Sequence, residues 1–319
     1  MKEHLNPTLA EVGERAAINV IIAHAPSSRN GDDAAVLGHA SANSRAVVTT
    51  DMLVQDRHFR LDWSTPAEIG RKAITQNFAD IEAMGARPVA ALLAISAPAY
   101  TRLNFVSELA RGISSRVKDY SAELVGGDIT DGEAIVIAVT AVGQLGGSLP
   151  ELSLDRARPG HTIIASGGIG ESAAGYALLQ RFGRTDIPEK FLPLVTAHCA
   201  TIVPEGRGFV ARSAGVSSLT DNSDGLIVDL RTMAKKIRRI HGPRPRSHRP
   251  NTIDAGSRRA SRRRPLAMGP WRGRRPHTHG YHCRRTSHRI PSHRNRRKTT
   301  LPRRPRPWTS TRRRKITRL

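Results

Sequence analysis

Cysteine is nearly missing from this chain: Cys199 and Cys283 are the only two in 319 residues. So distant a pair gives neither a disulfide framework nor the spacing of a zinc site. Long apolar runs are missing as well, and none approaches the roughly 18 residues of a membrane span. The N-terminal MKEHLNPTLAEVGERAAINVIIAHA reads as an amphipathic helix, without the apolar stretch and cleavage site of a secretion signal. The expectation is a cytoplasmic protein with no membrane association. No GxxxxGK[ST] loop occurs, which excludes a P-loop kinase, and the HRD and DFG phrases of protein kinases are absent. Acids are nearly absent from residues 235–319, which hold 30 Lys and Arg and the single acid Asp254. Residues 1–234 hold 21 basic and 26 acidic residues, so the overall charge of +24 belongs to the tail. A basic chain ordinarily suggests nucleic acid, but the mildly acidic body gives that idea no support.

What is present is a set of five aspartate-bearing segments: GDDAAVL (31–37), TTDML (49–53), NFADIEAMGA (77–86), GGD (126–128) and DNSDGL (221–226). Gathered carboxylates repel one another unless divalent cations lie between them. Hard oxygen ligands favour Mg²⁺, which usually bridges carboxylates to substrate phosphates. Each segment has a plainer reading. GDD and DNSDGL suit turns, and the Asp of TTD suits a helix N-cap. Asp80 has less excuse, because it falls inside a helical pattern where Asp has poor propensity. Joint occurrence in one acidic body points to a Mg²⁺–nucleotide site. GGIGESA (167–173) also matches a dinucleotide fingerprint, Gly168-x-Gly170-x-x-Ala173. The acid that should follow, Glu189, lies beyond a Pro-containing loop rather than at a strand end, so a nicotinamide cofactor is disfavoured.

Element order alternates. RAVVTT (45–50), PVAALLAI (88–95) and AIVIAVTAVGQL (134–145) read as strands, and 66–84 and 101–117 as helices. Pro66 suits the first helical turn, Ile69, Ala73, Ile74, Phe78 and Ile81 recur at helical spacing, and Gly85 stops the run. After the RARPG turn (156–160), HTIIAS (161–166) reads as a strand, 172–182 as a helix, and a further helix starts at Leu226.

In this order and wording, the chain resembles the thiamine-monophosphate kinases of the aminoimidazole-ribonucleotide-synthetase-like superfamily. The resemblance covers about residues 10–235 and rests on GDDAAVL, TTDMLVQDRHF, IGRKAITQNFADIEAMGARP, LVGGD, ARPG, GIGESAAGYALL and DNSDGL. It implies an α/β (α+β) fold of two domains. Residues 1–150 would carry the Mg-ATP and dimer elements, 151–235 a truncated second α/β domain, and 236–319 a disordered basic tail. It implies ATP-dependent phosphorylation of thiamine monophosphate to thiamine diphosphate by a homodimer. Carried over by position, the Mg²⁺ ligands would be Asp33, Thr49, Thr50, Asp51, Asp80, Asp128, Asp221 and Asp224. Gly127, Asp128 and Ser223 would contact ATP, and His58 the thiamine phosphate, with no general base.

The chain also departs from the family pattern. Leu154 stands where the family has an ATP-reaching Arg, with Arg156 as the nearby substitute, and the later GGED phrase is absent. Residues 236–319, rich in Arg, Pro and His, have too few apolar side chains to offset ordering entropy. Read one base along, the codons of MGPWRGRRPHTHG (268–280) permit a string containing GGED, so the tail is expected to be out of frame. The alternative reading is an inactive kinase remnant. Its Arg runs 262–264 and 312–314 would hold nucleic acid non-specifically, with Trp271, Tyr281 and Trp308 as the tail's only stacking aromatics.

Overall fold

The computed structural model describes residues 6–30, 34–39 and 41–241. The basic tail after 241, its shifted-frame phrase and its Arg runs lie outside the described residues. The expected N-terminal helix is two, α1 (Leu9–Val12) and α2 (Glu14–His24), because Gly13 at φ +76° turns the chain between them. The remaining elements are β1 (Arg45–Val54), α3 (Pro66–Ala83), β2 (Arg87–Ala97), α4 (Leu103–Asp119), β3 (Glu123–Asp131), β4 (Val136–Leu145), α5 (Glu171–Phe182), α6 (Leu192–Cys199), α7 (Arg207–Ser213) and α8 (Leu226–His241).

The four strands form one sheet in the order β1-β4-β2-β3. β4 runs antiparallel to both β1 and β2, while β2 and β3 are parallel. A parallel pair needs a long crossover, and α4 supplies it. One face of the sheet is covered by helices: Ile69, Ile74, Phe78 and Ile81 of α3 join Leu93, Ile137 and Val139 of the strands in one buried core. The other face is open, with Val48 62 % and Met52 55 % exposed.

α3 is long because its sequence agrees with itself at every level. Thr65 caps it and Glu68 returns the favour in a capping box. Pro66 opens the first turn, and Gly85 at φ +75° follows its end. α3 and α4 cross closely through small residues. A Cβ on Gly70 would overlap the Leu109 carbonyl, and one on Gly112 the Ala67 carbonyl.

Two elements differ from expectation. The GGD stretch, to which no element was assigned, lies inside β3. Its glycines have low strand propensity, yet a Cβ at Gly127 would overlap the Leu93 carbonyl of β2, so the close strand approach requires glycine. HTIIAS is not a strand: it runs irregularly, with Ile163 68 % and Ile164 67 % exposed. β propensity needs a neighbour to pair with, and among the described residues no strand follows β4. The dinucleotide fingerprint thereby loses the strand it requires.

Residues 154–241 are helical where they are regular, with a small core of Leu179, Ile187, Val195 and Cys199 packed by Trp63, Leu178 and Phe191. Polar ties join them to the sheet-covering helices. Glu82 of α3 accepts the main-chain N–H of Gly206 at 2.8 Å and that of Gly208. Arg184 reaches Glu68 at 2.8 Å, and buried Arg212 donates to the carbonyls of Pro150 and Gly146 at 2.8 and 3.0 Å. No helix among the described residues is long and apolar enough to cross a membrane.

Candidate functional site

Strand alternation decides which TTD side chains can act together. Thr49, Asp51 and Leu53 share the face of β1 turned to α3, while Val48, Thr50 and Met52 share the open face. Thr49 Oγ1 donates to Asp80 Oδ2 at 2.8 Å. The Asp51 N–H donates to Asn77 Oδ1 at 2.9 Å, and Gln76 Nε2 donates to Asp51 Oδ2 at 2.9 Å. Asn77 is itself buried and anchored by donating to the Ala73 carbonyl at 2.9 Å. Three residues in the second half of α3 thus hold the middle of β1. Asn77 and Gln76 were not read as site residues, although they precede Asp80 by three and four positions, the spacing that places side chains on one helix face.

Asp80 is the electrostatic centre. Burial, then the charges of Asp221 and Asp51, raise its carboxyl from the ordinary 3.8 to about 6, against the lowering pull of the Thr49 hydrogen bond. Asp229, in the first turn of α8, repeats the pattern. Burial first, then Asp221 and Asp224, push its carboxyl up, and its Oδ2 is buried with no hydrogen-bond partner among the described residues.

Thr50, proposed as a ligand, does not join this set through its side chain. Its Oγ1 donates to the Val139 carbonyl at 3.1 Å and lies 3.2 Å from Thr140 Oγ1 on the open face. Asp128 and Gly127 sit on β3, at the opposite end of the sheet order from β1, which is about 14 Å across three strand spacings. Ser223 and Asp224 are exposed in the turn before α8. Asp33 lies outside the described residues. Among those described, no three His, Cys, Asp or Glu side chains stand close enough to hold a metal ion by themselves. The donor set nonetheless fits a hard dication. It is all oxygen, it carries mutual repulsion at Asp80 that a cation would relieve, and it includes an orphaned carboxylate oxygen at Asp229.

His58 sits in a tight turn after β1. Its Nδ1 accepts the Val54 N–H at 3.0 Å, so the neutral ring carries its proton on Nε2. Lys72 Nζ donates to the His58 carbonyl at 2.8 Å. Arg156, the expected substitute for the missing Arg, is paired with Glu151 at 3.0 Å. An apolar depression of about 420 Å³ between α5 and α6, lined by Ala174, Leu178, Phe182 and Phe191, shares no residue with the acidic set.

The sheet and its acidic end place the chain in a recognised class: residues 31–145 match the family described as AIR synthase related protein, N-terminal domain. Thiamine-monophosphate kinase of Corynebacterium glutamicum is 69 % identical over 230 residues, covering 72 % of this chain and 70 % of that relative. The Mycobacterium tuberculosis H37Rv enzyme of the same name is 42 % identical over 235 residues, covering 72 % of this chain and 68 % of its own. Among solved structures, thiamine-monophosphate kinase from Stenotrophomonas maltophilia K279a superposes with a TM-score of 0.61 at 32 % identity, covering 70 % of this chain and 72 % of that one. AaThiL complexed with AMPPCP and TMP gives a TM-score of 0.55 at 30 % identity, covering 71 % of each chain. This chain belongs to the thiamine-monophosphate kinase family.

Proposed function

We propose that this protein transfers the γ-phosphoryl group of ATP to the phosphate of thiamine monophosphate, giving thiamine diphosphate and ADP. The bond from Pγ to the β,γ-bridging oxygen breaks, and a bond from Pγ to a phosphate oxygen of the acceptor forms. That oxygen is already ionised, so no side chain need remove a proton. The obstacle is bringing two polyanions together, and Mg²⁺ supplies the neutralising charge when bound. Thr49, Asp51, Asp80, Asp221 and Asp224 would hold it, with Asp33, Asp128 and the main chain at Thr50 completing the set. Gly127, Asp128 and Ser223 would meet ATP, and His58 Nε2–H would donate to the acceptor phosphate. The observation that carries this reading is the join of β1 to α3, where Thr49 Oγ1 donates to Asp80 Oδ2 at 2.8 Å and Asp51 is held by Gln76 and Asn77 at 2.9 Å each, in a chain of the thiamine-monophosphate kinase family.

The protein is read as a cytoplasmic homodimer formed through the N-terminal domain, with the open sheet face at Val48, Met52 and Leu92 as the surface where copies meet. A second reading has one observation in its favour. Ile163, Ile164, Ile202, Phe209 and Ile227 are all exposed in the helical segment, as expected of a kinase remnant whose later domain is incomplete. The decisive assay is thiamine diphosphate formation from ATP and thiamine monophosphate with Mg²⁺. Turnover should fall at least 100-fold in Asp51→Asn and in Asp80→Asn. Undiminished activity in both would contradict the site, and an inactive wild type that still binds both substrates would favour the remnant.

A further inference from the structure

The His58 turn is built tightly although it is exposed. The Val54 carbonyl accepts the N–H groups of Arg57 and His58 at 3.2 and 2.9 Å, and the Asp56 N–H donates to the Phe59 carbonyl at 2.8 Å. Asp56 adopts φ +61°, a left-handed conformation that Asp tolerates better than most residues. The ring is fixed from inside the turn by the Val54 N–H. Among the described residues, one hydrogen bond reaches the turn from the helix layer, the one from Lys72.

Lys72 is an odd residue to find there. It lies four positions after Glu68 on α3, the spacing at which an acid and a base ordinarily pair. Glu68 is already engaged, by Arg184 at 2.8 and 3.3 Å and by the Thr65 cap. Lys72 forms no ion pair among the described residues, and its one hydrogen bond there is to the His58 carbonyl. Burial pulls its ammonium below the usual lysine range. Its charge also reaches His198 of α6, where burial first and then Lys72 lower the ring to about 4. Lys72 stands near the neutral His198 imidazole and the Cys199 thiol, while Glu68, one turn back on the helix, is held by Arg184. A half-buried cation without an ion-pair partner is costly, and an apolar side chain of similar length would fill the space more cheaply.

We propose that Lys72 is the positioning residue for His58: its ammonium holds the turn's main chain while the Val54 N–H holds the ring, and together they aim Nε2–H at the acceptor phosphate. The proposal rests on the reading that His58 meets thiamine monophosphate, and the test separates the two. Equilibrium binding of thiamine monophosphate and of ATP to the full chain is measured by calorimetry for wild type, Lys72→Met, Lys72→Arg, His58→Ala and the Lys72→Met/His58→Ala double variant. Lys72→Met should raise Kd for thiamine monophosphate about tenfold, the scale of one charged hydrogen bond, with Kd for ATP within about twofold. Lys72→Arg should recover most of the loss, and in the His58→Ala background the same change should add less than about twofold. In parallel, ¹⁵N shifts of the His58 ring should move from one tautomer toward a mixture in Lys72→Met. Equal losses for both ligands, full additivity with His58→Ala, or an unmoved ring signature would each overturn the proposal. An unchanged Kd in His58→Ala would instead sink the reading beneath it. Should Lys72→Met show no cooperative melting, Lys72→Gln, uncharged but still a donor, replaces it.

Discussion

Asp80 and Asn77 divide the work of one helix face. Asp80 offers a charge that its surroundings disfavour, while Asn77 offers a neutral acceptor that holds the main chain of Asp51 within β1. The folded Asp80 carboxyl is raised from 3.8 to about 6, so the folded protein binds the proton more tightly than the unfolded chain. Its contribution to the metal-free protein is full below the unfolded value and is lost as pH rises through about 6. Asp80→Asn should therefore raise the metal-free melting temperature at pH 7 by a few degrees, and Mg²⁺ should raise the melting temperature of the wild type but not that of the variant. Calorimetry with and without Mg²⁺ reads both, and a variant that melts lower than wild type without metal contradicts the electrostatic account. Asn77→Ala should cost about 1–3 kcal/mol, because the half-buried N–H of Asp51 loses its acceptor. Asp80 was legible in the sequence because an acid within a helical pattern lacks a local job. Asn77 was not, since a buried amide looks like any other polar residue until its partner strand is known.

At the scale of elements, α3 was the most legible piece of the fold. Its cap, proline, apolar spacing and terminal glycine agree, and the structure places it at Pro66–Ala83. β3 and the HTIIAS segment were the least legible, for opposite reasons. β3 carries two glycines and three acids yet is a strand, because β2 and the α4 crossover impose the pairing. HTIIAS carries strand-forming residues yet is not one, because no strand pairs with it among the described residues. Pairing is a property of two segments, and one segment's composition cannot reveal it. The helix contacts also separate two kinds of sensitivity. Thr65→Ala removes a cap and should cost about 1 kcal/mol. Gly112→Ala should cost more, since the new methyl meets the fixed Ala67 carbonyl rather than a movable side chain. Urea unfolding of the two variants ranks them, and a mild Gly112→Ala would mean that α3 and α4 can slide apart.

At the scale of the whole molecule, the distribution of apolar surface matters most. The open sheet face places Val48 and Met52 beside Thr50 and Thr140, a patch of modest size with polar residues among the apolar ones. Such a patch suits association between copies. Met52→Lys should convert a dimer to monomers in sedimentation velocity while leaving the melting of each protomer largely unchanged. A wild type that sediments as a monomer removes the dimer reading. The acidic set divides along similar lines. The β1–α3 part rests on wording and order, and there the structure joins Thr49 to Asp80 and Asp51 to Gln76 and Asn77. The separation of Asp128 from Asp51 was not readable, because strand order, not sequence order, fixes it.

The end of α3 carries two acids with different allegiances. Asp80 and Glu82 are two residues apart and so point about 200° apart around the helix axis. One answers to Thr49 on the strand, and the other closes the amino end of α7 through Gly206 and Gly208. The same stretch of backbone is therefore an axle with a load on either side. A push on α7 has half a turn of rigid helix through which to reach the carboxylate at Asp80. Any tilt of the outer helices during turnover would be felt there as a change in the grip of the site.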